Sequence, residues 1–204
     1  MKKIRSDRKK LDPESVKIVV SLTLIALVAA LLLAVVNIFT RVDEAEEMQN
    51  AVAENYSSPV ASEIDISGYD DLGGTELQAA YIAEDGAYIF LVHVAKGNRI
   101  GYSADGVGLI TVIKDGVIVK VAGYSHSETP GLGANAFRED YLMQYSGVNV
   151  ADIYIPEDDT LVFPDNSGMF TPEKVTSATY TTNAVFAGVK GAVKAYGVFA
   201  GGSL

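Results

Sequence analysis

Two short stretches concentrate the side chains of this chain that could do chemistry. The first is Thr176-Ser177-Ala178-Thr179-Tyr180-Thr181-Thr182, where hydroxyls and small side chains crowd together just ahead of an apolar, periodic segment. A helix starting near Asn183, capped by Thr181 or Thr182, puts this stretch at its N-terminus. Unpaired backbone N–H groups and the positive end of the helix dipole gather there, which favours a phosphate. A threonine oxygen esterified to a phosphate suits such a place, because the helix end offsets the negative charge. Taken alone, the same residues also describe an ordinary helix cap. The second stretch is His126-Ser127-Glu128-Thr129-Pro130-Gly131-Leu132-Gly133-Ala134. Pro130 fixes φ, and Gly131 and Gly133 open backbone conformations closed to other residues. The expected result is a stiff, exposed loop from which Leu132 projects, with Glu128 and Thr129 offering hydrogen bonds to the edge of a heteroaromatic ligand. By itself this stretch also reads as a turn.

The elements that must hold these stretches in place are strands first. Residues 79–83 and 88–94 flank Asp85-Gly86, and residues 109–113 and 117–121 flank Asp115-Gly116. Asp-Gly favours the positive φ of a tight hairpin turn, and β-branched residues dominate both arms of the second pair. A further short strand is expected at Thr160-Leu161-Val162-Phe163. Residues 136–145 mix charged and apolar residues at helical spacing. Beyond the threonine-rich stretch, Val185, Val189, Val193 and Tyr196 share one helical face. Gly188, Gly191 and Gly197 each weaken an exposed helix by about 1 kcal/mol, but they also permit close packing on a sheet or ligand. Strands with helices on one side make an α+β domain.

That domain follows a membrane anchor. Ile18–Phe39 is an uncharged run of 22 residues, about 33 Å long as a helix, enough to cross a hydrocarbon core of about 30 Å. It is longer than a signal-peptide core and ends without a small-residue cleavage pattern, so it reads as an uncleaved anchor. Residues 1–17 hold 7 basic and 3 acidic residues, which places them in the cytoplasm and the remainder outside. The expected organisation is a basic N-terminus over residues 1–17, a single transmembrane helix over 18–39, a juxtamembrane segment over 40–56 and one domain over 57–204. Ser21, Thr23 and Asn37 are candidates for polar contacts between membrane helices.

Composition excludes several functions. The chain carries a net charge of −10 over its 204 residues, and the part after residue 17 holds 9 basic and 23 acidic residues. Nucleic acid is therefore excluded as a partner. With no cysteine and only His93 and His126, the chain cannot supply a cysteine-ligated iron–sulfur cluster, a thioether-linked haem or a multi-histidine metal site. No metal site and no catalytic residue is assigned. His126 is read as a hydrogen-bonded histidine at a strand end, and His93 as sheet packing or surface.

Together the two stretches are more specific than either alone. Thr176-x-Ala178-Thr179-x-Thr181 resembles the S-G-A-T-x-T/S flavinylation motif of the FMN-binding domain family, and His126-x-Glu128-Thr129-Pro130-Gly131-Leu132-Gly133 resembles that family's other signature loop. Within the family the chain resembles the G subunits of Rnf-type ion-translocating ferredoxin:NAD oxidoreductases, relatives of the C subunits of sodium-translocating NADH:quinone oxidoreductases. The resemblance implies an electron-transfer subunit with FMN joined through a phosphoester to Thr179. It implies as partners a flavin transferase during maturation and the other membrane subunits of an Rnf-type complex, in the cell (inner) membrane. Thr176, Ser177 and Ala178 complete the motif. Thr181 and Thr182 are the alternative ester sites, and Thr182 is counted with the cofactor-binding residues. Glu128, Thr129, Gly131, Leu132 and Gly133 are the expected contacts of the second loop. Ser177 stands where the motif has Gly, and Glu173 where an Asp is often found. A free-standing flavoprotein of extracytoplasmic electron transfer is the alternative reading, and a flavin-free anchored binding domain is the alternative from a different class.

Overall fold

In water the uncharged run could persist only by burying itself, and it does not do so. In the computed structural model, which describes residues 12–40, 44–69, 72, 74–97, 100–155 and 169–201, it forms one helix, α1 (Pro13–Thr40). The apolar side chains of α1 from Val16 to Val36 are exposed on every side. By length and composition the helix can cross a membrane. Ser21 Oγ donates to the Ile18 carbonyl at 2.9 Å and Thr23 Oγ1 to the Val19 carbonyl at 2.8 Å. Both hydroxyls are thus satisfied within the helix and need no neighbouring helix as acceptor.

A second, separate unit spans Ala45–Leu204. Its frame is an antiparallel five-stranded meander in the order β1-β2-β3-β4-β5, with β1 at Val60–Glu63, β2 at Glu76–Ala83, β3 at Tyr88–Val94, β4 at Val107–Lys114 and β5 at Val117–His126. Both Asp-Gly hairpins form where expected, with Gly86 at φ 83°, Asp115 at φ 51° and Gly116 at φ 75°. The two arms of each hairpin pair antiparallel. The expected strand at 160–163 lies outside the described residues.

Alternation along the central strands divides the interior into two cores. Phe90, Val92, Val94, Leu109 and Ile113 point to one face, and Ile89, Leu91, Ile110 and Val112 to the other. The first face is covered by the long helix α4 (Thr179–Phe199). The second receives Val52, fully buried, from α2 (Glu44–Asn55). The architecture is α+β, but helices lie on both faces of the sheet rather than on one. The uninterrupted burial of Ile89–Val92 is the mark of a strand covered on both sides. The segment expected as a helix over 136–145 is instead a broken path: a 3-10 turn at Gly133–Phe137, a single α-turn α3 at Glu139–Leu142, and a second 3-10 turn at Met143–Tyr145.

The glycines of α4 set how close it comes to the sheet. A Cβ on Gly188 would collide with Leu109, and one on Gly191 with Thr75, while Val92 lies 3.1 Å from the latter position. At its far end α4 is tied to the second hairpin, where the Gly116 amide donates to Tyr196 Oη at 3.0 Å. Lys190, on the side of α4 away from those glycines, is buried with its ammonium 4.7 Å from the centre of the Phe186 ring and, among the described residues, without a hydrogen-bond acceptor. Burial lowers its pKa to about 8 from the ordinary 10.5.

The sign of the consequence follows from proton counts. Between pH 8 and 10.5 the unfolded chain holds the Lys190 proton more often than the folded one, so stability rises with pH in that window and is flat below it. Lys190→Met is expected to abolish that slope in denaturant titrations. At pH 7 it should stabilise the domain by roughly 1–2 kcal/mol, less than the shift alone implies, because the Phe186 face and solvent screening recover part of the penalty.

Candidate functional site

β5 delivers His126 at the edge of the sheet, and the chain then turns into the 3-10 segment at Gly133. In this turn Glu128 does not face outward. It is 5% exposed. Its Oε1 accepts from the amides of Tyr102 at 2.8 Å and Ser103 at 3.0 Å, and its Oε2 accepts from Thr181 Oγ1 at 2.9 Å. Three donors across both oxygens are what a carboxylate needs to survive burial. Glu128 thus braces the site from inside. Gly133 lies directly behind it. A Cβ there would collide with Glu128 Oε2 and stand 2.7 Å from Thr181 Oγ1, so this glycine is required by close approach.

The rest of the loop closes on itself. The amides of Leu132 and Ala134 donate to the Thr129 carbonyl at 3.1 and 3.2 Å, and Asn135 Nδ2 donates to the Gly131 carbonyl at 2.9 Å. Gly131 takes φ 77°. Thr129, Gly131 and Leu132 are grouped at the outer side of the turn, where Leu132 is 48% exposed and projects as the loop's one large apolar side chain. His126 stacks on Phe137, ring centres 4.1 Å apart. Burial lowers its pKa below the ordinary imidazole value, with the Glu128 charge opposing.

On the opposite side of the brace, α4 begins earlier than its threonines suggested. Its first residue is Thr179 and its N-cap is Ala178, buried and with no side-chain cap hydrogen bond. The two expected caps are turned inward and occupied. Thr181 donates to Glu128, while Thr182 Oγ1 donates to the Ala178 carbonyl at 3.0 Å and accepts from the Val175 amide at 3.3 Å. Both are fully buried, whereas Thr179 and Thr176 are exposed. Ahead of the helix the Ala178 amide donates to the Val175 carbonyl at 3.0 Å, closing a turn in which Ser177 has φ 64°. This is the left-handed region that favours glycine, and here it is held by an L-residue. Glu173 is exposed. Its backbone is fixed by Tyr141 Oη donating to its carbonyl at 2.8 Å and by its amide donating to Gln144 Oε1 at 2.7 Å.

A third segment enters that the two stretches did not announce. The Gly101 amide donates to the Tyr180 carbonyl at 2.8 Å, and the next two amides are those bound by Glu128. Gly101-Tyr102-Ser103 thereby joins the start of α4 to the loop. Its only sequence signal is a glycine in a polar connection. The resulting surface offers an exposed Thr179 on a helix start whose N-cap makes no side-chain hydrogen bond. A phosphate-bearing group fits there: Thr179 is exposed, and its N-cap Ala178 supplies no side-chain hydrogen bond to the first turn.

The sequence profile of the FMN-binding domain family matches residues 101–194. Over that range, a little under half of its length, the chain is similar to this family. The matched stretch begins at Gly101 and contains all three segments that meet at Glu128. Among curated proteins the chain is similar to the G component of the proton-translocating ferredoxin:NAD(+) oxidoreductase complex of Clostridium ljungdahlii. The two are 33% identical over 112 residues, which is 55% of this chain and 57% of that protein. The chain thus spans little more than half the length of the relative it matches.

Two substitutions test the local physics. Ser177→Gly relieves the left-handed backbone and is expected to stabilise the domain by about 1 kcal/mol in chemical denaturation. Thr181→Val leaves Glu128 Oε2 short of a donor and should destabilise it by about 1–3 kcal/mol in the same measurement.

Proposed function

We propose that the chain is the membrane-anchored flavoprotein subunit of an Rnf-type complex, carrying FMN as a phosphoester on Thr179. The observation that carries this reading is the contrast among the threonines at the start of α4. Thr181 and Thr182 are buried and engaged, whereas Thr179 is an exposed residue at the first helical position. In this reading the first-turn amides of α4 receive the phosphate charge. Thr176, Ser177 and Ala178 shape the approach, and a flavin transferase makes the bond. Thr182 holds the turn rather than the cofactor. Leu132, with Thr129 and Gly131 beside it, offers an apolar contact for the ring system, while Glu128 and Gly133 keep that loop in register with the tether.

When bound, FMN supplies the ability to exchange electrons one or two at a time, so it can link unlike carriers. The chain itself contributes position. The helix start fixes the phosphate end, and the self-bonded loop fixes a hydrophobic surface beside it. α1 anchors the protein in the cell membrane, with the basic residues 1–17 on the cytoplasmic side and the FMN domain outside. Partners are the other membrane subunits of a complex that couples electron flow between ferredoxin and NAD to ion translocation. This assignment is supported by the similarity to the clostridial protein.

Coexpression with a flavin transferase is expected to raise the intact mass of the full chain by one FMN less one water, and Thr179→Ala to abolish the gain. Retention of the adduct in that variant would move the ester elsewhere. Purification from the native membrane should bring polytopic subunits with the chain. Recovery of the flavinylated chain alone would favour a free-standing flavoprotein.

A further inference from the structure

Next to Thr179 lies an aromatic surface that the tether reading does not use. Tyr180, the second residue of α4, stacks on Tyr102 with ring centres 5.1 Å apart and planes 20° from parallel. Both rings remain substantially in solvent, Tyr102 55% and Tyr180 37% exposed. Burial therefore does not hold the pair together. Its backbone does: the Gly101 amide is bonded to the Tyr180 carbonyl at 2.8 Å, and the Tyr102 amide to Glu128 Oε1 at 2.8 Å. The same carboxylate that receives Thr181 thus sets the position of Tyr102. Two flat, electron-rich rings are held ready at the rim of the site, one of them on the residue that follows the exposed hydroxyl.

We propose that Tyr102 and Tyr180 form a stacking shelf for the electron-poor ring system of the flavin tethered at Thr179. The inference rests on the tether reading and adds the residues that orient the ring. The physical case has three parts. Aromatic faces left in water gain free energy when a planar partner covers them, and offset stacking is the favoured geometry. A surface fixed by backbone hydrogen bonds loses little entropy on binding. Tyr180 is bonded directly to the tether residue, so a ring carried on Thr179 by a flexible chain cannot be far from it. Phenol rings are also electron donors, and a stacked phenol drains the excited state of a flavin. Tyr102 and Tyr180 are positioning residues here, and stacking makes or breaks no covalent bond.

The test uses the full chain flavinylated in membranes and purified in detergent. Y102L/Y180L removes the aromatic faces, and Y102F/Y180F keeps them while removing the phenol donors. Intact mass reports attachment, and flavin emission with visible circular dichroism reports stacking. The parent should carry the adduct with quenched emission and an induced dichroic band. The leucine variant should keep the adduct, gain about tenfold in emission and lose the band, as the loss of an aromatic contact predicts. The phenylalanine variant should keep both adduct and band while its emission rises. Unchanged emission and dichroism in a leucine variant that still carries the adduct would overturn the shelf. Should that variant lose the adduct, the phenylalanine variant decides: raised emission with a retained band supports the shelf, and parental emission overturns it. A parent chain without adduct overturns the tether reading, and the shelf with it.

Discussion

One buried carboxylate organises this site. Glu128 gathers the amides of residues 102 and 103, the hydroxyl of Thr181 and, through the absence of a side chain at Gly133, its own loop. Thr181 and Glu128 are 53 positions apart in the chain. No hydrophobic contact could fix three polar segments in so small a space with this directionality. A carboxylate can, because each of its oxygens accepts along defined directions, and because leaving any donor or acceptor unpaired in the interior is costly. The Leu132 loop, the Tyr102 segment and the start of α4 therefore have one relative arrangement.

That arrangement would be lost if α4 could slide or lift. Gly188 and Gly191 let the helix backbone sit against Leu109, Thr75 and Val92, a contact that any larger residue would hold open. The amide of Gly116 holds the far end through Tyr196. The helix is therefore fixed by side-chain packing in its middle and by polar contacts at both ends. The interior reaches the functional surface through the height and register of this one element, which decide whether Thr181 meets Glu128 and where Thr179 emerges.

Much of the frame was legible in the sequence because its signals are local. Asp85-Gly86 and Asp115-Gly116 declare their own turn geometry, and the apolar run of α1 declares its length. Two features of the site were not legible for the opposite reason. Thr181 and Thr182 look like caps to any reading based on residue type, yet Thr181 turns inward to the distant Glu128, Thr182 bonds back to the turn at Val175 and Ala178, and the helix starts at Thr179. Glu128 looks like a surface ligand in a Pro-Gly loop until the amides of residues 102 and 103 are known to lie beneath it. No spacing rule links those residues to the loop. α2 shows the same limit, since Met48, Ala51 and Val52 in an otherwise acidic segment give little sign that they complete a second core. The broken path over 133–145 replaces a helix because its residues serve the loop and the sheet at once.

The start of α4 is the place where local preference and structure disagree most, and the disagreement is informative. An alanine cap forgoes about 1 kcal/mol relative to serine or threonine, and a left-handed Ser177 adds a cost of similar size. Hydroxyl side chains are abundant on both sides of Ala178, so the missing cap does not come from a lack of suitable residues. Each hydroxyl has another place: Thr181 on the brace, Thr182 on the turn, Thr179 in solvent. A helix end built this way is less stable than its own sequence would allow, and it leaves its first-turn amides without a side-chain cap. Backbone strain of this kind concentrates at sites that take a ligand. A phosphate on Thr179, as proposed, would supply this helix with the cap that Ala178 does not, and the attachment would then add to the stability of the domain that carries it.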